Sequence, residues 1–292
     1  MLSKESSNAL PSPLRLGYSP CPNDTFIFHA LSRGLVDGFS HPVETFLADV
    51  EELNGKAREG SLDVVKVSIS AAAELADRYG ILRSGGALGR GCGPLVVARE
   101  PGDAESLRWK TVAIPGERTT AHLLLQLHGG FQGPRKEMVF HEIMPAVARG
   151  EVDAGVVIHE GRFTYASLGL HRVLDLGSWW EEETGLPLPL GGILVKRSLG
   201  PQAARIVEEA IRGSLLRARA RPEEAWPYVR SHAQEMDPDV IRLHIDTFVN
   251  DFSLRMGSEG EEAVTRLLQA ACRLKKAPFP SEPLFCRSHP DG

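Results

Sequence analysis

Cysteine is scarce in this sequence: Cys21, Cys92, Cys272 and Cys286 are the only four in a chain of 292 residues. None has CxxC or zinc-ligand spacing, and a chain this long needs no disulfide framework, so all four read as reduced thiols. Cys21 lies in a loop between Pro20 and Pro22 with no identifiable activating base, which argues against a nucleophile. Long apolar runs are missing too. No segment approaches the ~20 apolar residues of a membrane span, and the opening MLSKESSNALPSPLRLGYS has no stretch of signal-peptide length. The expectation is a cytoplasmic protein with no membrane partner.

Basic charge is not in excess. The formal net charge is −5, lysine and arginine are dispersed, and the densest basic patch, Arg212 to Arg221, reads as the solvated face of one helix. No nucleic-acid partner is expected. There is no Walker motif, no GxGxxG between a strand and a helix and no His/Cys/Asp cluster at ligand spacing; GALGRG only superficially resembles a phosphate loop. Neither a metal nor a cofactor is expected. Apolar residues at 42% and charged residues at 24% suit neither a disordered nor a fibrous chain, and the length favours two moderate domains.

What is present is a β/α alternation. Leu14 to Tyr18 reads as a first strand, SPCPND as a turn, and Asp24 as the N-cap of a helix over Phe26 to Ser32. VEELNGKAREGSLDVVKVSIS is then echoed by EIMPAVARGEVDAGVVIHE, with Gly60 and Asp63 answering Gly150 and Asp153. Each copy reads as helix, glycine stop, strand. In the first, Asp49 and Glu52 have capping-box spacing and Gly60 is a suitable left-handed terminator before a strand from Val64 to Ile69. The first strand ends among Lys66, Ser68 and Ser70, the second at His159 and Glu160. Ligands of open α/β sheets bind outside the carboxyl ends of strands, so two facing half-sites are expected.

A short helix follows at Ala71 to Arg78, then SGGALGRGCGP, whose dense glycines imply unusual backbone angles or close approach of another segment. Leu95 to Ala98 reads as a strand. The pattern restarts with TVAI from Thr111 and a helix over Ala121 to Leu127; LGGILVKRSLG reads as a returning strand, and the chain is then helical to about Leu274. The Pro-rich KKAPFPSEPLFCRSHPDG reads as a loose tail. The layout is discontinuous: 14–97 with 193–292 forms one α/β domain carrying the C-terminal helices, 98–192 forms the second, and 1–13 is a disordered tail. Such a two-lobed molecule closes on a ligand by hinge motion.

In PGERTT, Thr119 and Thr120 stand at a strand-to-helix turn, where hydroxyls and free N–H groups hold a carboxylate or phosphate; a simple N-cap is an equal alternative. Trp179 and Trp180 precede ETGLPLPLGG and would either wall an aromatic ligand or, more commonly for tryptophan, pack in the core.

The segments GYSPCPNDTFIFHAL, LADVEELN, RSGGALGRGCGPLVVAR, AIPGERTTAHLLL, EIMPAVARGEVDAGVVIHEGRFTY and WWEEETGLPLPLGG together closely resemble the 1,4-dihydroxy-6-naphthoate synthase family of the futalosine route to menaquinone. The resemblance spans roughly residues 14 to 200. It implies a periplasmic-binding-protein-like fold of two α/β lobes, used in the cytoplasm as a lyase. The implied small-molecule substrate is cyclic dehypoxanthine futalosine, and the implied products are 1,4-dihydroxy-6-naphthoate and dihydroxyacetone. By motif, His159 matches the family's proton acceptor, and Lys66, Ser68, Thr119 and Thr120 match its substrate-binding positions. Glu160 and Arg162 would orient the imidazole, contact substrate or form an internal ion pair. An imidazole of reference pKa about 6.5 suits a base near neutral pH.

Two other readings compete. Chorismate dehydratase, an earlier enzyme of the same route, shares the general plan, but IHEGRFTY and SPCPND disfavour it. A non-enzymatic solute-binding protein has the same scaffold, and the missing secretion signal stands against it. Oligomeric state is open at this level.

Overall fold

A computed structural model describes residues 10–287. Of the tail expected over 1–13, residues 1–9 lie outside that range, as do 288–292 of the expected C-terminal tail. Leu10 packs against the core, and His41 Nε2 lies 2.6 Å from the Pro11 carbonyl oxygen.

The described strands are β1 Leu14–Tyr18, β2 Val43–Leu47, β3 Val64–Ser68, β4 Tyr79–Ile81, β5 Ala87–Gly89, β6 Leu95–Ala98, β7 Val112–Ile114, β8 Arg135–Glu137, β9 Ala154–Val157, β10 His171–Asp175 and β11 Leu188–Lys196. They form two sheets. The first runs β2-β1-β3-β11-β4 with β5 also on β11; the second runs β10-β6-β9-β7-β8. β1, β2 and β3 are mutually parallel, as are β7, β8 and β9, whereas β11 and β6 run antiparallel to their neighbours. β6 thus pairs in the second sheet and the returning β11 in the first. This is the two-sheet α/β architecture implied by the resemblance.

The apolar runs of the sequence are strands buried on both faces, as parallel sheets covered by helices require. Along β1, Leu14, Leu16 and Tyr18 join a core with the helix Pro22–Ser32 and the C-terminal helices, while Val65 and Val67 of β3 point the other way into a core shared with the second sheet. β6 alternates likewise: Leu95 and Val97 face one cluster, Val96 and Ala98 another.

Local signals act largely as read. Asp49 caps the helix Val50–Glu59 by accepting from the Glu51 N–H at 2.8 Å, and Gly60 ends it at φ 70°. Gly150 follows the helix Phe140–Ala148 at φ 78°, in the position of Gly60. The dense glycines do mark a close approach: a Cβ on Gly93 would lie 2.2 Å from the Gly177 Cα.

Three expectations are corrected. The helix expected from Phe26 begins at Pro22 with Cys21 as N-cap, because proline is favoured in a first turn; Asp24 is inside that turn and caps nothing. The helix expected over Ala71 to Arg78 is a single turn, Ile69–Ala72, followed by a 3-10 turn. The C-terminal segment is no loose tail through residue 287: Leu284 is buried, and the Ile81 N–H and carbonyl bond Leu284 O and Cys286 N at 2.8 and 3.0 Å. These backbone bonds extend the edge of β4, a gain that proline content alone does not reveal. No helix among the described residues is long and apolar enough to cross a membrane.

Candidate active site

The carboxyl ends of β1, β3, β7 and β9 all open onto one cavity. It has about 700 Å³ of empty space including its mouth, and Lys66, Ser68, Thr119, Thr120 and His159 all line it. Residues from both of the strand ends expected to face each other thus line one cavity. Lys66 and Ser68 come from the first sheet; Thr119, Thr120 and His159 follow strands of the second.

Lys66 is an ammonium within an otherwise apolar strand, and it is buried at 5% exposure. Such a charge needs partners. Its Nζ lies 2.6 Å from Asp24 Oδ1 and 3.3 Å from the Gly85 carbonyl oxygen. Asp24 in turn accepts from the Ser19 hydroxyl at 2.8 Å and from Asn23 Nδ2 at 2.8 Å. Ser19, Asn23 and Asp24 also line the cavity, and sequence reasoning missed them as a site. Their signal was the polar SPCPND turn at the end of β1, the same strand-end position as Ser68.

Ser68 closes β3, and its N–H donates to Asn54 Oδ1 at 3.0 Å. Asn54 is fully buried and its amide also donates to Glu51 Oε2 at 3.2 Å. Burial raises the Glu51 pKa against the opposing pull of Asn54 and Arg118. Arg118, in the loop after β7, places Nη1 2.7 Å from Glu51 Oε1, so this chain of bonds crosses from one side of the cavity to the other.

Thr119 is the N-cap of the helix Thr120–His128: its hydroxyl donates to the Gly116 carbonyl and accepts from the His122 N–H at 3.2 Å. The cap and the cavity-lining positions coincide. The Thr120 hydroxyl donates to the Leu190 carbonyl at 2.8 Å and accepts from the Ser70 N–H at 3.3 Å. Both hydroxyls thus have protein partners already, and the free first-turn N–H groups of this helix are what is left to meet an anion.

His159 lies two residues beyond β9 with φ 54°, a left-handed conformation uncommon outside glycine and concentrated at functional sites. Its ring meets Phe140 edge-on at 4.9 Å and stacks on His244 at 6.0 Å. His244 is fully buried, and sequence reasoning missed it because the C-terminal helices carry no motif. Arg162 lines the cavity, but its ion pair is with Asp175 at 2.8 Å and not with Glu160. Burial pushes the Cys21 thiol well up, which makes it a poor nucleophile, as read. Trp180 is core, with its indole N–H on the Pro187 carbonyl, and Trp179 packs beside it; neither lines the cavity.

A cavity between two α/β sheets, ringed by strand carboxyl ends, defines a periplasmic-binding-protein-like molecule. The periplasmic aliphatic sulphonate binding protein from Escherichia coli shares this fold, with a TM-score of 0.63 at 14% identity, covering 92% of this chain and 89% of that one. A crystal structure from Archaeoglobus fulgidus superposes with a TM-score of 0.84 at 37% identity, covering 90% and 97%. A family model described as menaquinone biosynthesis matches residues 14–273. The chain is 56% identical over 273 residues to the 1,4-dihydroxy-6-naphtoate synthase of Thermus thermophilus, covering 93% of this chain and 98% of that protein. It is 49% identical over 263 residues to the enzyme of the same name from Streptomyces coelicolor, covering 88% and 92%. This chain belongs to the menaquinone-biosynthesis family.

Proposed function

We propose that the chain is a cytoplasmic lyase that cleaves cyclic dehypoxanthine futalosine into 1,4-dihydroxy-6-naphthoate and dihydroxyacetone, with His159 as general base. The observation that carries this reading is the convergence of His159 with Lys66, Ser68, Thr119 and Thr120 on one cavity. The relatives named as 1,4-dihydroxy-6-naphtoate synthases support it.

The chemistry asks little else of the protein. Releasing a three-carbon ketone from a sugar-derived framework begins with removal of a proton near a carbonyl or hydroxyl, and a positioned imidazole contributes typically 10²–10⁴-fold to such a transfer. Aromatisation of the remaining ring supplies driving force. The open N-terminus of the helix Thr120–His128 suits the substrate carboxylate, and the Lys66, Asp24 and Ser19 network suits its hydroxyls. Closure of the two sides over the ligand would exclude water.

Purified protein incubated with cyclic dehypoxanthine futalosine and no added cofactor tests the reading, with both products followed by mass spectrometry. Formation of both is the expected result. Substrate bound but unchanged would leave only a binding protein, and dehydration of chorismate instead would assign the earlier enzyme of the same route.

A further inference from the structure

Behind the His159 ring two buried groups face each other without a hydrogen bond. His244, on the helix Pro238–Phe248, and Glu160, next to His159, place Nδ1 and Oε1 3.7 Å apart. The tautomer of His244 is set by a chain of partners. Asn23 Nδ2 donates to Asp24 Oδ1 at 2.8 Å, so Asn23 Oδ1 is left as an acceptor, 2.9 Å from His244 Nε2. Nε2 therefore carries a hydrogen. Full burial holds this imidazole neutral, with the nearby His159 and Lys66 acting in the same direction, so Nδ1 presents a lone pair. Among the described residues that atom has no hydrogen-bond partner.

Glu160 is 7% exposed and, among the described residues, no other residue donates a hydrogen bond to its carboxyl. Its own backbone N–H reaches the carboxyl, but an ionised Glu160 would set a carboxylate against the His244 lone pair and leave that buried nitrogen unsatisfied. A proton on the carboxyl gives that nitrogen a donor after a small side-chain rotation from the 3.7 Å separation. Burial favours that proton by raising the Glu160 pKa. The titratable groups that face the pair are His159 beside it, Cys21 and Asp24 from the segment after β1, Lys66 from β3, and Glu235 from the loop before the His244 helix. Lys66 and Asp24 neutralise each other.

We propose that Glu160 and His244 are positioning residues for His159: Glu160 holds a proton directed at His244 Nδ1, so the wall behind the base carries no charge. The inference rests on His159 being the base. An ionised carboxylate in that place would favour the imidazolium and keep the base occupied. A neutral pair leaves the ring free to accept, while its stack on His244 fixes its orientation.

Infrared spectra of the whole protein without substrate, wild type against Glu160→Gln at pH 7, test the pair whether or not turnover occurs. A protonated-carboxyl C=O band lost in the variant is expected; loss of a carboxylate band instead overturns the proposal. The link to His159 is read from pH profiles of kcat/KM on cyclic dehypoxanthine futalosine. Glu160→Gln, which presents an amide N–H to Nδ1, is expected to leave the acid limb where it stands and to lower kcat less than tenfold. His244→Phe removes the acceptor, lets Glu160 ionise, and is expected to move the acid limb up by about one pH unit. An acid limb that falls in Glu160→Gln, or stays put in a folded His244→Phe, refutes the link; a merely structural role would change kcat or Tm with the limb unmoved.

Discussion

Lys66 Nζ and Asp24 Oδ1 are 2.6 Å apart, with the two side chains only 6% and 3% exposed. The pair joins the middle of β3 to the helix that follows β1, and it forms part of the cavity wall. Removing one partner strands the other charge in a poorly hydrated place. Asp24→Asn is expected to cost about 3–5 kcal/mol of stability in urea unfolding. Asp24→Asn combined with Lys66→Met should recover part of that loss, and a double variant no more stable than Asp24→Asn would show the pair is not coupled.

His159→Asn keeps the side chain near its size and tolerates the left-handed backbone, since asparagine is enriched there. Turnover is expected to fall by about 10²–10⁴-fold, with substrate affinity by calorimetry within a few-fold of wild type. A fully active variant would remove His159 from the mechanism.

Thr119 serves both the fold and the site, so its substitutions should separate the two roles. Thr119→Ala loses the cap, an expected cost of about 1 kcal/mol, together with a higher KM. Thr119→Ser keeps the capping hydroxyl and should retain stability and most of the affinity. Equal loss in both variants would mean the methyl group, not the hydroxyl, matters.

Asp63 supplies a pH dependence. Burial pushes its carboxyl up, but Arg15 and Lys196 hold it below its ordinary value of 3.8. A carboxyl whose folded value lies below the unfolded one stabilises the fold above the unfolded value, and the contribution is lost as pH falls through the folded value. Asp63→Asn is thus expected to destabilise by about 2 kcal/mol at pH 7, with a gap that narrows below about pH 4 in chemical denaturation. A gap independent of pH would exclude the ionic contribution.

Gly93 and Gly177 touch backbone to backbone where the chain enters the second sheet. A methyl at Gly93 has no room, and the obstruction is main chain, which cannot rotate away. Gly93→Ala should lower Tm by several degrees, whereas Gly91→Ala, whose added Cβ meets nothing within 4 Å, should suffer only from its φ of 65°.

Much of this molecule is decided by local chemistry. The near-continuous apolar burial of β1, β3, β6 and β9, the Asp49 cap and the Gly60 stop follow from apolar runs and propensities that act within a few residues. The repeated helix, glycine and strand pattern likewise placed Ser68 and His159 at strand ends, where both line the cavity. Tertiary structure alone decided what those residues face. Asp24 looked like a cap because Asp-x-apolar patterns are cap signals, yet Lys66, 42 residues away, claims its carboxylate. The C-terminal segment looked loose because proline and charge dominate it, yet an open strand edge at Ile81 holds it. His244 carries no motif at all, and its place behind His159 comes from a helix packed against the one at Pro22–Ser32. Local propensity has no term for partners that distant, since only the folded chain pays the entropy of bringing them together.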